Sequence, residues 1–261
     1  MDAQKTEMVT KKILLIVIVF MLAAGCRSIR HATGMSAAVV RVRVTTDAPD
    51  KSTALEKAAS IIRSKADALH IDIDVKPSSD ESDVLAVTFY DEAPTVAVKE
   101  ILFKAHRLEL KKVAQNGDPP IPSESEDAAK QTLKPGEVIL PLANVQDARP
   151  GKFLAVESKP IITGEDIRNA KVFEGRGMNP SVMVNFNPDG AAKFKEWSSR
   201  NIQSYLAIVL DGVVLSYPVI KGEMSDSAMI EGNFSKAEAE DLALDLNAGY
   251  LEGIMTIMDE K

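Results

Sequence analysis

Cys26 is the only cysteine of the chain, and it stands directly after Leu22-Ala23-Ala24-Gly25. A cysteine thiolate is a good nucleophile, and small residues in front of it suit a peptidase that grips an extended backbone. That nucleophilicity would let Cys26 take up an acyl or alkyl group. A lone cysteine excludes an internal disulfide and, once acylated, cannot serve in catalysis. The three histidines, His31, His70 and His106, are scattered. A metal site wants ligands at short, regular spacing, so no metal and no cofactor is expected. The acid pairs Glu165-Asp166 and Glu240-Asp241 fall on predicted helices and read as solvated faces. Glu165 and Asp166 would also favour a helix N-terminus. Neither a nucleophile elbow nor a phosphate-binding P-loop occurs, and Gly175-Arg176-Gly177 reads as a turn. An enzyme is therefore not expected, the alternative being a site assembled from scattered carboxylates. Trp197, three residues after Phe194, reads as core. Tyr217 and Pro218, after a predicted hairpin strand, form the candidate contact surface.

The cysteine needs an export signal in front of it. Lys11 and Lys12 precede an apolar run from Ile13 to Gly25, which is the layout of a secretory signal. The run is shorter than the roughly 20 residues of a spanning helix, so residues 1–25 are expected to be removed rather than kept as an anchor. Leu22 to Cys26 resembles the bacterial lipobox, with Ala23 where Leu is usual. Met1 and Met8 are alternative starts. Residues 26–37 read as a tether of roughly 35–40 Å when extended, holding the folded part close to the bilayer through lipid on Cys26. Arg27 stands where an Asp would signal inner-membrane retention, so the periplasmic face of an outer membrane is expected if the source has two membranes. A net charge of -7 with mixed signs argues against nucleic acid as a partner.

About 235 residues follow Cys26, enough for two modest units. Val39 to Val44 alternates as a strand, with Arg41 and Arg43 on one face. Leu55, Ala58, Ala59, Ile62, Ala66 and Leu69 recur at helical spacing, and Thr53 with Glu56 suggests a capping box. Strands at 71–75 and 84–89, a helix from Pro94 to about Ala105 and a strand starting at Leu108 complete a βαββαβ order, a ferredoxin-like arrangement. Residues 115–135 hold four prolines and many polar residues and read as a flexible connector. Beyond it, 182–186 reads as a strand and Pro188-Asp189-Gly190 opens a helix. Leu206 to Leu215 reads as a hairpin turning at Asp211-Gly212. Ser235 and Glu238 read as a capping box, Gly249 as the end of that helix, and 254–257 as a last strand. The expected fold is α+β: two ferredoxin-like βαββαβ-type lobes, 38–114 and 136–261, with antiparallel sheets covered by helices on one face.

The second lobe carries an ordered series of motifs. These are Ile162-Thr163-Gly164-Glu165-Asp166-Ile167-Arg168-Asn169-Ala170, Phe186 with Gly190-Ala191 and Phe194, and Leu206-Ala207-Ile208-Val209-Leu210-Asp211-Gly212 with Val214, Ser216 and Pro218-Val219-Ile220. The series continues with Ile230-Glu231-Gly232-Asn233-Phe234-Ser235, Glu238-Ala239, Asp241-Leu242-Ala243, Leu246 and Ala248-Gly249. It resembles the head part of the first periplasmic domain of the SecD and SecDF protein-export membrane subunits. More loosely, Ala54 to Arg63 and Ala97 to Lys112 resemble the base part. The likeness covers roughly residues 50–260. The family's membrane helices and their acids have no counterpart here, nor does its glycine-rich signature near the start of the domain. The resemblance implies a non-catalytic envelope lipoprotein that binds polypeptide as an accessory to protein export, with exported chains or translocon proteins as partners. The alternative is a structural or assembly subunit of an envelope complex that uses the fold as a scaffold. In the family the last strand can return to the first lobe.

Overall fold

The computed structural model describes residues 37–46, 49–114, 117–143, 152–175, 179–224, 226–251 and 253–260. The expected signal segment, Cys26, Arg27, His31, Arg176 and Gly177 lie outside the described residues. Among the described residues no helix is long and apolar enough to cross a membrane.

The first lobe is built from β1 (Ala38–Thr45), α1 (Lys51–Ala68), β2 (Ile73–Pro77), β3 (Val84–Phe89) and α2 (Val96–Phe103). Alternation in β1 buries Val40, Val42 and Val44. On the opposite face Arg41 and Arg43 pair with Glu81, Arg41 with Asp259 at 3.1 Å and Arg43 with Asp83 at 3.2 Å. Helix α1 starts one turn earlier than the expected Thr53–Glu56 box: Asp50 is the N-cap and accepts from the backbone N–H of Ser52 and Thr53. A carboxylate at that position satisfies two donors that the helix itself cannot. The helix lays Leu55, Ala58, Ala59, Ile62 and Ala66 onto the sheet. The α2 cap is Thr95, so Pro94 lies just outside the helix.

The strand after α2, β4 (Leu108–Lys112), does not join this sheet. Its place beside β1 is taken by β13 (Ile254–Glu260), which gives the antiparallel order β13-β1-β3-β2. The physical reason is burial. Four of the five β4 residues are buried, on both faces, so β4 needs neighbours and cover on both sides. The partly exposed β13 fits an edge. The first lobe thus closes through the far end of the chain.

The second lobe contains α3 (Glu126–Lys130), β5 (Glu137–Pro141), β6 (Phe153–Glu157), β7 (Ile162–Thr163), β8 (Ile167–Phe173), β9 (Ser181–Phe186) and α4 (Pro188–Arg200). It continues with β10 (Leu206–Leu210), β11 (Val213–Ser216), β12 (Ser227–Ile230) and α5 (Lys236–Ala248). The class is α+β with antiparallel sheets, as expected, but here the strands divide among three sheets: β11-β10-β4-β7, β12-β9-β8 and β5-β6. A 3-10 turn at Gly164–Asp166 separates β7 from β8 and sends them into different sheets. Phe186, Phe194, Leu206, Ile208, Leu242 and Leu246 are central to the core. The stretch expected as a flexible connector, 115–135, is instead docked over residues 117–135. Ser123 exchanges backbone bonds with Phe153, and α3 packs on β5 and β6 with Ala129 buried. A small apolar residue on a short capped helix is enough to seat it.

Candidate functional site

A cleft of about 620 Å3 opens in the second lobe. One wall comes from the β10–β11 hairpin and the residues after it: Ile208, Leu215, Ser216, Tyr217 and Pro218. The other comes from Met229 on β12, the turn Glu231–Phe234 and the first turn of α5. The hairpin forms because Asp211 and Gly212 both adopt positive φ, 52° and 79°, as its two-residue turn requires. The opposite wall is set by the Ser235–Glu238 capping box, in which Glu238 accepts from Ser235 N–H at 2.8 Å and Ser235 accepts from Glu238 N–H at 3.3 Å. Those bonds hold the Glu238 carboxyl below its usual range. The volume lies in the range of ligand pockets, roughly 300–1,000 Å3. Tyr217 is half-buried and Pro218 exposed. The Tyr217 ring lies 6.5 Å from that of Tyr205, whose hydroxyl reaches Asp118 at 3.2 Å. The two residues singled out as a contact surface thus sit together on the cleft wall.

A second constellation lies where the lobes meet. Lys65 on α1 is fully buried and pairs with Asp245 on α5, itself 3% exposed. The Lys65 ammonium also donates to the carbonyls of Ile101, at 2.8 Å, and Lys104. His106, in the short irregular link from α2 to β4, donates its backbone N–H to Asp245 at 2.9 Å. Its ring meets Asp211 at 2.7 Å and lies 3.6 Å from Asp241 and 3.8 Å from Asp245. Burial works against the charge of His106, but these three carboxylates outweigh it and raise its pKa to about 9. The bond to His106 lowers Asp241. Burial opposes the charge of Asp211, yet bonds from His106 and the Arg107 N–H still lower it. Burial raises Asp245, with Lys65 and His106 offsetting only part. Charged groups packed this way fix a geometry as well as an energy.

Several expected placements change. Asp166 is buried rather than solvated: it accepts from Thr163 N–H at 3.0 Å and pairs with Lys193 at 2.7 Å. Glu165 is exposed and reaches across to Lys57 on α1 at 2.7 Å. Asp241 is half-buried beside His106 rather than fully solvated. Trp197 stacks on Phe194, centroids 6.2 Å apart. His70 holds a positive φ of 58° just past α1. Cys26 cannot be placed here. The junction cluster was missed in sequence, although Lys65 and Asp245 each interrupt the apolar stripe of a helix.

Residues 140–252 match the family described as SecDF, P1 head subdomain. The protein translocase subunit SecD of Koribacter versatilis is 31% identical over 215 residues, covering 81% of this chain and 39% of that protein. The SecD subunit of Aquifex aeolicus is 36% identical over 164 residues, covering 62% of this chain and 30% of that protein. The chain thus spans well under half the length of these curated relatives. In fold, it is similar to SecDF in a super-membrane-facing form, with a TM-score of 0.63 at 23% identity over 85% of this chain and 30% of the other. It is also similar to a chain of a membrane component SecDF that enhances protein export, with a TM-score of 0.62 at 24% identity over 85% of this chain and 98% of the other.

Proposed function

We propose that residues 38–260 form a SecD/SecDF-type periplasmic domain and that this domain works outside the cytoplasm as a non-catalytic binder of polypeptides in protein export. In this reading lipid on Cys26 holds it to a membrane, the outer one where there are two, and the cleft at Tyr217 and Pro218 is the contact surface. One observation carries the proposal: every residue lining the cleft, from Ala143 to Glu238, falls inside the 140–252 head match. The relatives' names supply the context, a translocase subunit and a component that enhances export. The cleft supplies the chemistry. Its wall is apolar and aromatic with the acids Glu231 and Glu238 at one side, and exposed apolar surface rimmed by polar residues is a mark of protein contact sites.

The test is a photoreactive phenylalanine at position 217 in cells exporting an arrested secretory chain. Crosslinks to that chain are expected, and a probe at the distant, exposed Ile254 should give none. Absence of crosslinks at 217, under conditions that trap a known envelope chaperone, overturns the proposal. A single stoichiometric partner in place of the secretory chain would turn it into the scaffold alternative.

A further inference from the structure

The wall of the cleft formed by β12 is the edge of a sheet. Phe186 N–H donates to Asp226 C=O at 2.9 Å, and the register runs Val184↔Ala228 and Val182↔Ile230. In an antiparallel ladder hydrogen-bonded and non-bonded pairs alternate, so Ala228 and Ile230 bond to β9 while Ser227 and Met229 turn their N–H and C=O away from it. No further strand lies on that side among the described residues, and the backbone of Met229, which lines the cleft, meets no partner there. An open edge is a template for another chain. Native edges are usually blunted by lysine, proline or a bulge. β12, Ser-Ala-Met-Ile, has none of the first two, and its pairing with β9 runs without a register shift.

The charge at this edge has one sign. Glu231, directly after β12, is exposed and has no ion-pair partner among the described residues. Across the gap stand Leu215 and Tyr217, and Phe234 closes the end. An occupant should therefore offer free main-chain groups, apolar side chains on alternate positions and a cation near Glu231.

We infer that β12 takes up an extended, unfolded polypeptide as an added antiparallel strand, its apolar side chains entering the cleft and a Lys or Arg meeting Glu231. The inference rests on the polypeptide-binding reading and specifies how that binding is done. Main-chain pairing supplies affinity that does not depend on sequence, and the side-chain pockets supply a bias. About four residues of β12 at roughly 3.4 Å each would pair, so the contact is short and readily reversed.

The experiment uses the full chain in detergent and three labelled ten-residue peptides of alternating valine and threonine with one central lysine. One peptide is unmodified. The others carry N-methyl groups on either the odd or the even residues, which removes backbone donors and keeps every side chain. Binding is read by fluorescence anisotropy. The unmodified peptide is expected to bind, with slowed amide exchange at Met229. One methylated register should lose at least tenfold in affinity and the other should lose little. Glu231→Gln should weaken the lysine peptide severalfold and flatten its salt dependence. Met229→Pro, which removes the outward N–H together with the side chain, should mimic the loss while Met229→Ala, which keeps the N–H, should not, with retained circular dichroism showing that the fold persists. Equal binding by all three peptides would overturn strand addition while leaving polypeptide binding in the cleft intact. Failure of all three to bind would overturn both.

Discussion

Replacing Lys65 by Met tests whether the lobe junction is held by a buried ion pair. Lys65 is fully buried, and its ammonium meets Asp245 and the carbonyls of Ile101 and Lys104. Met keeps most of the stem, so packing changes little. Removing one partner of a buried pair costs about 3–5 kcal/mol. The lower end is expected here, about 3 kcal/mol, because His106 and its backbone N–H still compensate Asp245. Asp245→Leu should cost more, about 4–5 kcal/mol, because it leaves an ammonium with only carbonyls around it. The double variant should regain most of this, leaving about 1–2 kcal/mol for the two carbonyls without a donor. Urea unfolding, followed by the fluorescence of Trp197, the only tryptophan, gives all four values. Costs that simply add in the double variant, or a Lys65→Met cost under about 1 kcal/mol, would refute the reasoning.

Three further outcomes follow from the same geometry. His106 is raised from 6.5 to about 9, so its stabilising contribution is complete below pH 6.5 and lost as pH rises through 9. With Asp211 and Asp241 partly in water, about 1–2 kcal/mol should disappear, and His106→Gln should flatten that alkaline slope in denaturant midpoints. Gly190→Ala would put a Cβ 2.5 Å from the Asp166 carbonyl oxygen, and backbone cannot yield cheaply; a loss of about 1–3 kcal/mol or more is expected, read as a lower melting temperature. Cys26→Ser should leave an unprocessed precursor or a protein released from the membrane. Each methylene of a lost acyl chain contributes about 0.8 kcal/mol, and mass spectrometry of the N-terminal peptide decides.

What could be read from sequence was what is encoded within a few residues. The Asp211-Gly212 turn, the Ser235–Glu238 box and the alternation of β1 each need only neighbours in sequence, and each forms as expected. The resemblance series located the head because it is an ordered run of short motifs. The strands β5, β6 and β8 were not legible. β8, with Arg168, Asn169 and Lys171 among its seven residues, lacks a clean alternation. Two of its residues are held by partners outside the strand: Asn247 brackets the backbone of Ala170, and Asn185 donates to Asn169. The return of β13 to the first lobe was open to the resemblance, but local pattern did not show it, since β4 and β13 are both plausible edge strands until the burial of β4 on two faces is known.

The junction cluster is the instructive miss, because its signal was present. Lys65 falls three residues after Ile62 and one before Ala66 on the apolar face of α1. Asp245 falls three after Leu242 and one before Leu246 on that of α5. A charge on a buried helical stripe is costly alone, and two such stripes carrying opposite charges cancel that cost only by facing each other. That pairing predicts a contact between α1 and α5, hence between the lobes, without any strand assignment. The cluster also sits at both crossings of the chain. His106 lies in the link from α2 to β4, and Asp245 precedes the link from α5 to β13, where Gly249 holds a φ of 124° and a Cβ on Gly253 would meet the Thr45 carbonyl at 2.6 Å. Hydrophobic residues could stabilise such a junction as well or better, but they would tolerate sliding. Lys65, with two carbonyls and one carboxylate to satisfy, has few alternative positions. Moving α5 away from α1 would part Lys65 from Asp245 and leave both without their buried partner, so the pair is expected to oppose such a movement.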